Sequence, residues 1–169
     1  MKLTAHFALA EFERSATAQR LGIDNRVPDM YIPSLRNLCQ QVLEPLRLWA
    51  GQPVVISSGY RCQALNTAIY QGTTPNTRSQ HLRGEAADIM APTHDAKGQR
   101  LSERQSQALL RQWFAWVMDN TTFDQLILER RDALSHHCWM HVSCRPDITR
   151  NRQQVIRNLV KYPSTPPPA

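Results

Sequence analysis

His81 and Asp88 stand seven residues apart, with Gly84 between them. After the glycine the sequence reads as a strand: Ala86, Asp88 and Met90 share one face and Ala87 and Ile89 the other, because strand side chains alternate. Asp88 then projects from a strand, and His81 sits on the loop that leads into it. Far downstream, Trp139, Met140, His141, Val142 and Ser143 form a second short alternating run, with His141 on a face between Trp139 and Ser143. Two imidazoles and one carboxylate from separate segments are the ligand set of a catalytic zinc site with one position open for water. A surface histidine, a half-buried aspartate and a core histidine would give the same three letters, so the neighbouring residues have to discriminate.

Zinc at such a site lowers the pKa of its water to about 7 and polarises a carbonyl, which permits amide hydrolysis. The chemistry also needs a carboxylate that takes the water's proton and passes it to the leaving amine. Glu129 is the first candidate, at the end of a strand that pairs through a hairpin with the strand of His141; Glu85, at a turn, is its rival. Arg61, after a Ser-Gly-Tyr turn, has the planar fork of donors that holds a substrate carboxylate. Ser79, two residues before His81, can hydrogen-bond a substrate backbone. Gln80, Ser143 and Trp139 are lesser candidates, and His136 and His137 read as solvent histidines in a loop.

The elements that must position these groups follow from periodicity. Leu35, Leu38, Cys39, Val42, Leu43, Leu46, Trp49 and Ala50 fit one face of a helix over 34–50, capped by Ser34, kinked at Pro45 or with its regular part ended early there, and stopped by Gly51. A buried strand is expected over 53–57 and a shorter helix over 62–70, followed by a polar loop over 71–78. Ser102 and Gln105 form a capping box that opens a helix with Leu109, Leu110, Trp113, Phe114 and Val117 on one side. A central strand over 123–129, a long polar hairpin loop over 130–138 and the strand of His141 come next, then a strand or helix near 154–160. The pattern predicts an α+β fold: a small, largely antiparallel sheet with helices packed on one side. One domain over 1–162 and a Pro-rich extended tail over 163–169 are expected.

The chain has 169 residues, 41% hydrophobic and 20% charged, with a formal net charge of +6. That balance fits a globular protein with an anionic partner. The basic residues are scattered, with no block of five or six, which argues against nucleic acid. The N-terminus lacks the pattern of a secretory signal and no stretch is apolar enough to span a bilayer, so synthesis in the cytoplasm with reduced cysteines and no membrane insertion is expected.

Four ordered motifs now come together: Ser57 to Arg61, Ser79-Gln80-His81 with Gly84 to Asp88, Phe123 to Glu129, and Trp139 to Ser143. With them the chain resembles the zinc D-Ala-D-Ala carboxypeptidase family, which shares its fold with the hedgehog signalling domain. The segment from Leu3 to Asn25 is also similar to bacterial and phage members. The resemblance implies one zinc ion held by His81, Asp88 and His141, a substrate-carboxylate site at Arg61 and a substrate contact at Ser79. In many members the base lies three residues before the last histidine, where this chain has Cys138; in hedgehog-like members it ends the preceding strand, which falls on Glu129 across a lengthened hairpin. The substrate implied is peptidoglycan, as stem peptides ending in D-Ala-D-Ala or their cross-links. The enzyme would act as a monomer, in the manner of a phage-type lysin released to the periplasm and cell wall. A catalytically silent zinc module that recognises wall peptide or a protein partner is the alternative.

Overall fold

A computed structural model describes residues 1–70, 76–131 and 137–160. The Pro-rich tail, His136 and parts of the 71–78 and 130–138 loops lie outside the described residues.

Two short helices, α1 (Leu9–Glu13) and α2 (Ala16–Leu21), precede a long helical segment built of α3 (Ile32–Leu38), a π turn (Cys39–Leu43) and α4 (Glu44–Ala50). After strand β1 (Ile56–Ser58) come α5 (Gln63–Ile69), a 3-10 turn (Gln80–Arg83), β2 (Ala86–Ile89), α6 (Glu103–Asn120), β3 (Gln125–Arg130), β4 (Cys138–Ser143) and β5 (Gln154–Val160). The strands form one sheet in the order β1-β2-β4-β3-β5. All neighbours are antiparallel except β3 and β5, which run parallel. The fold is α+β, as expected, and the ambiguous 154–160 segment resolves as an edge strand.

One face of the sheet carries Ala87, Ile89, Leu126, Leu128, Met140 and Val142, all buried in a core with Leu35, Leu38, Val42, Leu46, Leu110, Trp113 and Val117. Burying that stripe removes apolar surface from water and is the main term holding helices to sheet. Ser102 and Gln105 make the expected capping box at the start of α6.

Three local expectations are corrected. The first long helix starts at Ile32, with Pro33 in its first turn and Ser34 buried inside it rather than capping it. Pro45 does not end the regular helix. Lacking an N–H, it cannot bond the carbonyl four residues back, and the backbone widens just before it, with the Glu44 N–H bonding the Cys39 carbonyl five residues away. That wider turn resets the helical phase, and Trp49 emerges 47% exposed, stacked on Trp116 with ring centroids 5.0 Å apart. The strand near 53–57 is shorter and later than expected and lies at the sheet edge, with Val55 half exposed.

The first thirty residues brace the turn that carries Arg61. Asn25 is buried and donates from Nδ2 to the carbonyls of Glu13 and Tyr60, each at 3.0 Å, while its Oδ1 accepts the Cys62 N–H at 2.8 Å. The Tyr60 N–H donates to the Phe12 carbonyl at 2.9 Å. The turn that carries Arg61 is therefore tied to the N-terminal layer by the Asn25 side chain and by one backbone bond to Phe12. Replacing Asn25 with Ala leaves these backbone groups without their partner, and we expect a loss of about 1–3 kcal/mol. A lowered midpoint in thermal unfolding followed by circular dichroism is the check; an unchanged midpoint would refute the tie.

Candidate metal centre

In the sheet register Asp88 lies opposite His141, and His141 opposite Ile127. Ser58 lies opposite Asp88 on the other side. Residues directly opposite share a face, so this row and the alternate positions Gln125 and Glu129 point away from the helical core. His81 comes from outside the sheet. The 3-10 turn that holds it closes on Gly84, whose φ of +65° is the left-handed conformation that glycine adopts without a Cβ penalty. A Cβ there would also stand 3.0 Å from the Tyr31 carbonyl. The turn drops the chain straight into β2.

Among the described residues, His81, Asp88 and His141 form a buried group able to hold a metal. His81 Nε2 is 3.3 Å from His141 Nδ1 and 3.3 Å from Asp88 Oδ1, and His141 Nδ1 is 2.8 Å from Asp88 Oδ1. Tetrahedral zinc with ligands at about 2.0–2.1 Å sets its donor atoms about 3.3–3.4 Å apart. Two edges of the triangle already have that length, and the third is at hydrogen-bond distance. The donor set fits zinc.

His81 is prepared as a ligand. Its Nδ1 lies 2.6 Å from the Gly59 carbonyl, which can only accept, so Nδ1 carries the proton and Nε2 offers its lone pair to the centre. Burial, then the nearby Arg61 charge, push its pKa down to about 4 against the opposing pull of Asp88, so the ring is neutral at pH 7. Gly59 must be glycine for packing rather than for its dihedral: a Cβ would sit 2.6 Å from the Phe12 Cα.

Arg61 is 3% exposed. It donates from Nη2 to Asp88 Oδ2 at 2.7 Å and from Nε to Ser58 Oγ at 2.9 Å. The residue expected from sequence to clamp substrate is thus bonded to one member of the candidate donor triangle. Glu129 is buried beside the same cleft and accepts the Trp139 indole N–H at 2.8 Å. It lies opposite Trp139, which places it diagonal to His141 at about 7–8 Å between backbones. The residues flanking the long hairpin stay paired, Arg130 with Cys138, so Glu129 keeps its place on the metal-facing side. Glu85 also lines the cleft but takes a two-pronged ion pair from Arg83, at 3.1 and 2.9 Å. Ser79 and Gln80 line the cleft, whereas Ser143 Oγ accepts the Gln125 N–H within the sheet. His137 is exposed and pairs with Glu103 on α6.

The cleft has a volume of about 1120 Å³, beyond the roughly 300–1,000 Å³ of a drug-sized pocket. Six arginines line it: Arg61, Arg78, Arg83, Arg145, Arg150 and Arg152. Sequence reading missed Arg145 and Arg152; the one available signal was an arginine two residues beyond the His141 strand. The sequence model of the family described as Peptidase M15 matches residues 5–110. Comparison with curated proteins returns no match.

Replacing Asp88 with Ala removes the only carboxylate of the donor triangle. Zinc bound per chain, measured by elemental mass spectrometry after dialysis, should fall to background while the far-ultraviolet circular dichroism spectrum persists. Wild-type zinc content in this variant would show that the metal sits elsewhere.

Proposed function

The chain belongs to the peptidase M15 family of zinc-dependent peptidases, and from that premise we propose that it hydrolyses peptidoglycan stem peptides. The bond is D-Ala-D-Ala, as in a carboxypeptidase, or a related stem-peptide bond. The observation that supports this reading is the convergence of His81, Asp88 and His141 on one sheet face, with Glu129 buried on the same side of a basic cleft. His81, neutral at pH 7, would hold one zinc ion together with Asp88 and His141. When bound, that ion supplies a polarised carbonyl and a water acidic enough to ionise near pH 7.

The chain's own groups do the rest. Glu129 accepts a proton from the attacking water as the carbon–oxygen bond forms. It then delivers that proton to the leaving nitrogen as the carbon–nitrogen bond breaks. Trp139 holds one Glu129 oxygen through its indole N–H and so orients the carboxylate. Arg61 keeps Asp88 aligned and receives the terminal carboxylate of the peptide, and Ser79 bonds the peptide backbone. The arginine-lined cleft suits an anionic wall polymer. Among the described residues no helix is long and apolar enough to cross a membrane. We further propose that the protein works as a monomer at the cell wall, as a phage-type lysin.

A second reading rests on Cys138, which stands three residues before His141 at the position where the family resemblance implies an acid. On that reading the domain binds zinc and wall peptide without cutting. Purified peptidoglycan digested with zinc-loaded protein and with a chelated control separates the two, with products read by mass. Loss of one alanine from pentapeptide stems marks a carboxypeptidase, and conversion of cross-linked dimers to monomers marks an endopeptidase. Zinc-loaded protein that yields no chelator-sensitive product would sink the enzyme reading. Glu129→Gln should lower kcat by about 10²–10⁴-fold at unchanged zinc content; an unaltered rate would move the base elsewhere.

A further inference from the structure

Asp124 is 0% exposed, yet it is a carboxylate at the entry of a central strand. It accepts Arg145 Nε at 2.7 Å, Arg152 Nε at 3.0 Å, Arg152 Nη2 at 2.5 Å and the Arg152 backbone N–H at 3.0 Å. Burial alone would raise its pKa, but the hydrogen bonds from Arg152 and then Arg145 prevail and hold it at about 2. One buried negative charge therefore faces two guanidiniums, and the group as a whole is positive.

Arg145 is fixed at more points than a surface arginine needs. Its N–H donates to Asn151 Oδ1 at 2.9 Å, and its carbonyl accepts Asn37 Nδ2 at 2.9 Å. Its guanidinium is held through Nε, which leaves the two Nη groups, the pair that makes a parallel fork with a carboxylate, for another partner. The side chain is 32% exposed and lines the cleft, as does Arg152. A guanidinium with its backbone and Nε immobilised has little rotamer entropy left to lose on binding an anion.

We infer that Arg145, braced by Asp124 and flanked by Arg152, is a second carboxylate-binding subsite of the cleft. It reads an anionic group of the peptide away from the bond that is cut. This rests on the peptidase reading above and adds a substrate class to it. Arg145 lies four residues beyond His141, so their Cα atoms are at most about 14 Å apart, and both line the same cleft, which puts the carboxylate recognised within a few residues of the scissile bond. A γ-linked glutamate, which leaves its α-carboxylate free, meets that description.

The test uses two synthetic stem peptides that differ only in whether that carboxylate is free or amidated. Zinc-loaded full-length protein, its Arg145→Gln variant and its Arg152→Gln variant are compared by kcat/KM and by calorimetric binding, with zinc content measured in each. Wild type should favour the free acid at least tenfold. Arg145→Gln should bring the ratio close to one at unchanged zinc content, and Arg152→Gln should reduce it. Equal use of both peptides by wild type, or an undiminished preference in a folded Arg145→Gln variant, overturns the inference and leaves the peptidase reading standing. Cleavage of neither peptide, with binding that still prefers the acid and loses that preference in the variant, upholds the subsite and removes the peptidase reading. Should Arg145→Gln fail to fold, the wild-type ratio and the Arg152→Gln variant decide.

Discussion

The antiparallel register between β2 and β4 is the constraint on which the candidate centre depends. It sets Asp88 against His141, and through β4 it sets Glu129 against Trp139 on the same face. A slip of one residue in either strand would turn a ligand into the helical core and an alanine or valine out to the cleft. The residues that prevent the slip are not polar. Ala87, Ile89, Met140, Val142, Leu126 and Leu128 are buried together beneath the sheet, and moving any strand by one position would expose all its apolar members at once. The geometry of a polar site is thus held by hydrophobic burial on the opposite face.

The sheet supplies only two of the three donors. His81 arrives on a turn whose position is fixed by contacts far away in sequence: the Gly59 carbonyl accepts a hydrogen bond from its Nδ1–H, and the Arg61 N–H donates back to the His81 carbonyl at 3.2 Å. That Gly59–Cys62 segment is itself held by Phe12 and Asn25. The N-terminal layer therefore reaches the metal centre through two steps of backbone hydrogen bonding. Sub-ångström control of an imidazole needs such support, since ligand orientation is set by what the other ring nitrogen bonds.

Much of this was readable in the sequence, and what was missed has physical causes. Alternation around Asp88 and His141 pointed to both strands and to the face each residue takes, because a sheet with one buried side forces period two. The capping box at Ser102 marked a real helix start because its hydrogen bonds are local. The π turn before Pro45 was not readable: proline signals that a bond is missing, but whether the helix kinks, stops or widens is decided by packing. The role of Asn25 was hidden for a similar reason, since an asparagine in a loop-like run looks the same whether it faces water or bridges three backbone groups. Asp124 and Arg145 are 21 residues apart in sequence, and only the folded sheet brings them to 2.7 Å.

Charge shows the same division. Along the chain the basic residues look scattered, yet the fold gathers six arginines on one cleft. They are not equivalent once their partners are counted. Arg61 is matched by Asp88 and Arg83 by Glu85, whereas Arg145 and Arg152 share the single carboxylate of Asp124. Stability does not require that arrangement. Desolvating a carboxylate costs several kcal/mol, and well-packed apolar side chains often serve a fold as well as a buried ion pair does. A buried acid shared by two partly exposed arginines is therefore better understood as a device for placing positive charge. It fixes guanidinium groups at the cleft wall while neutralising only part of their charge, so that the field entering the cleft stays attractive to an anion even after the protein's own carboxylate has been satisfied.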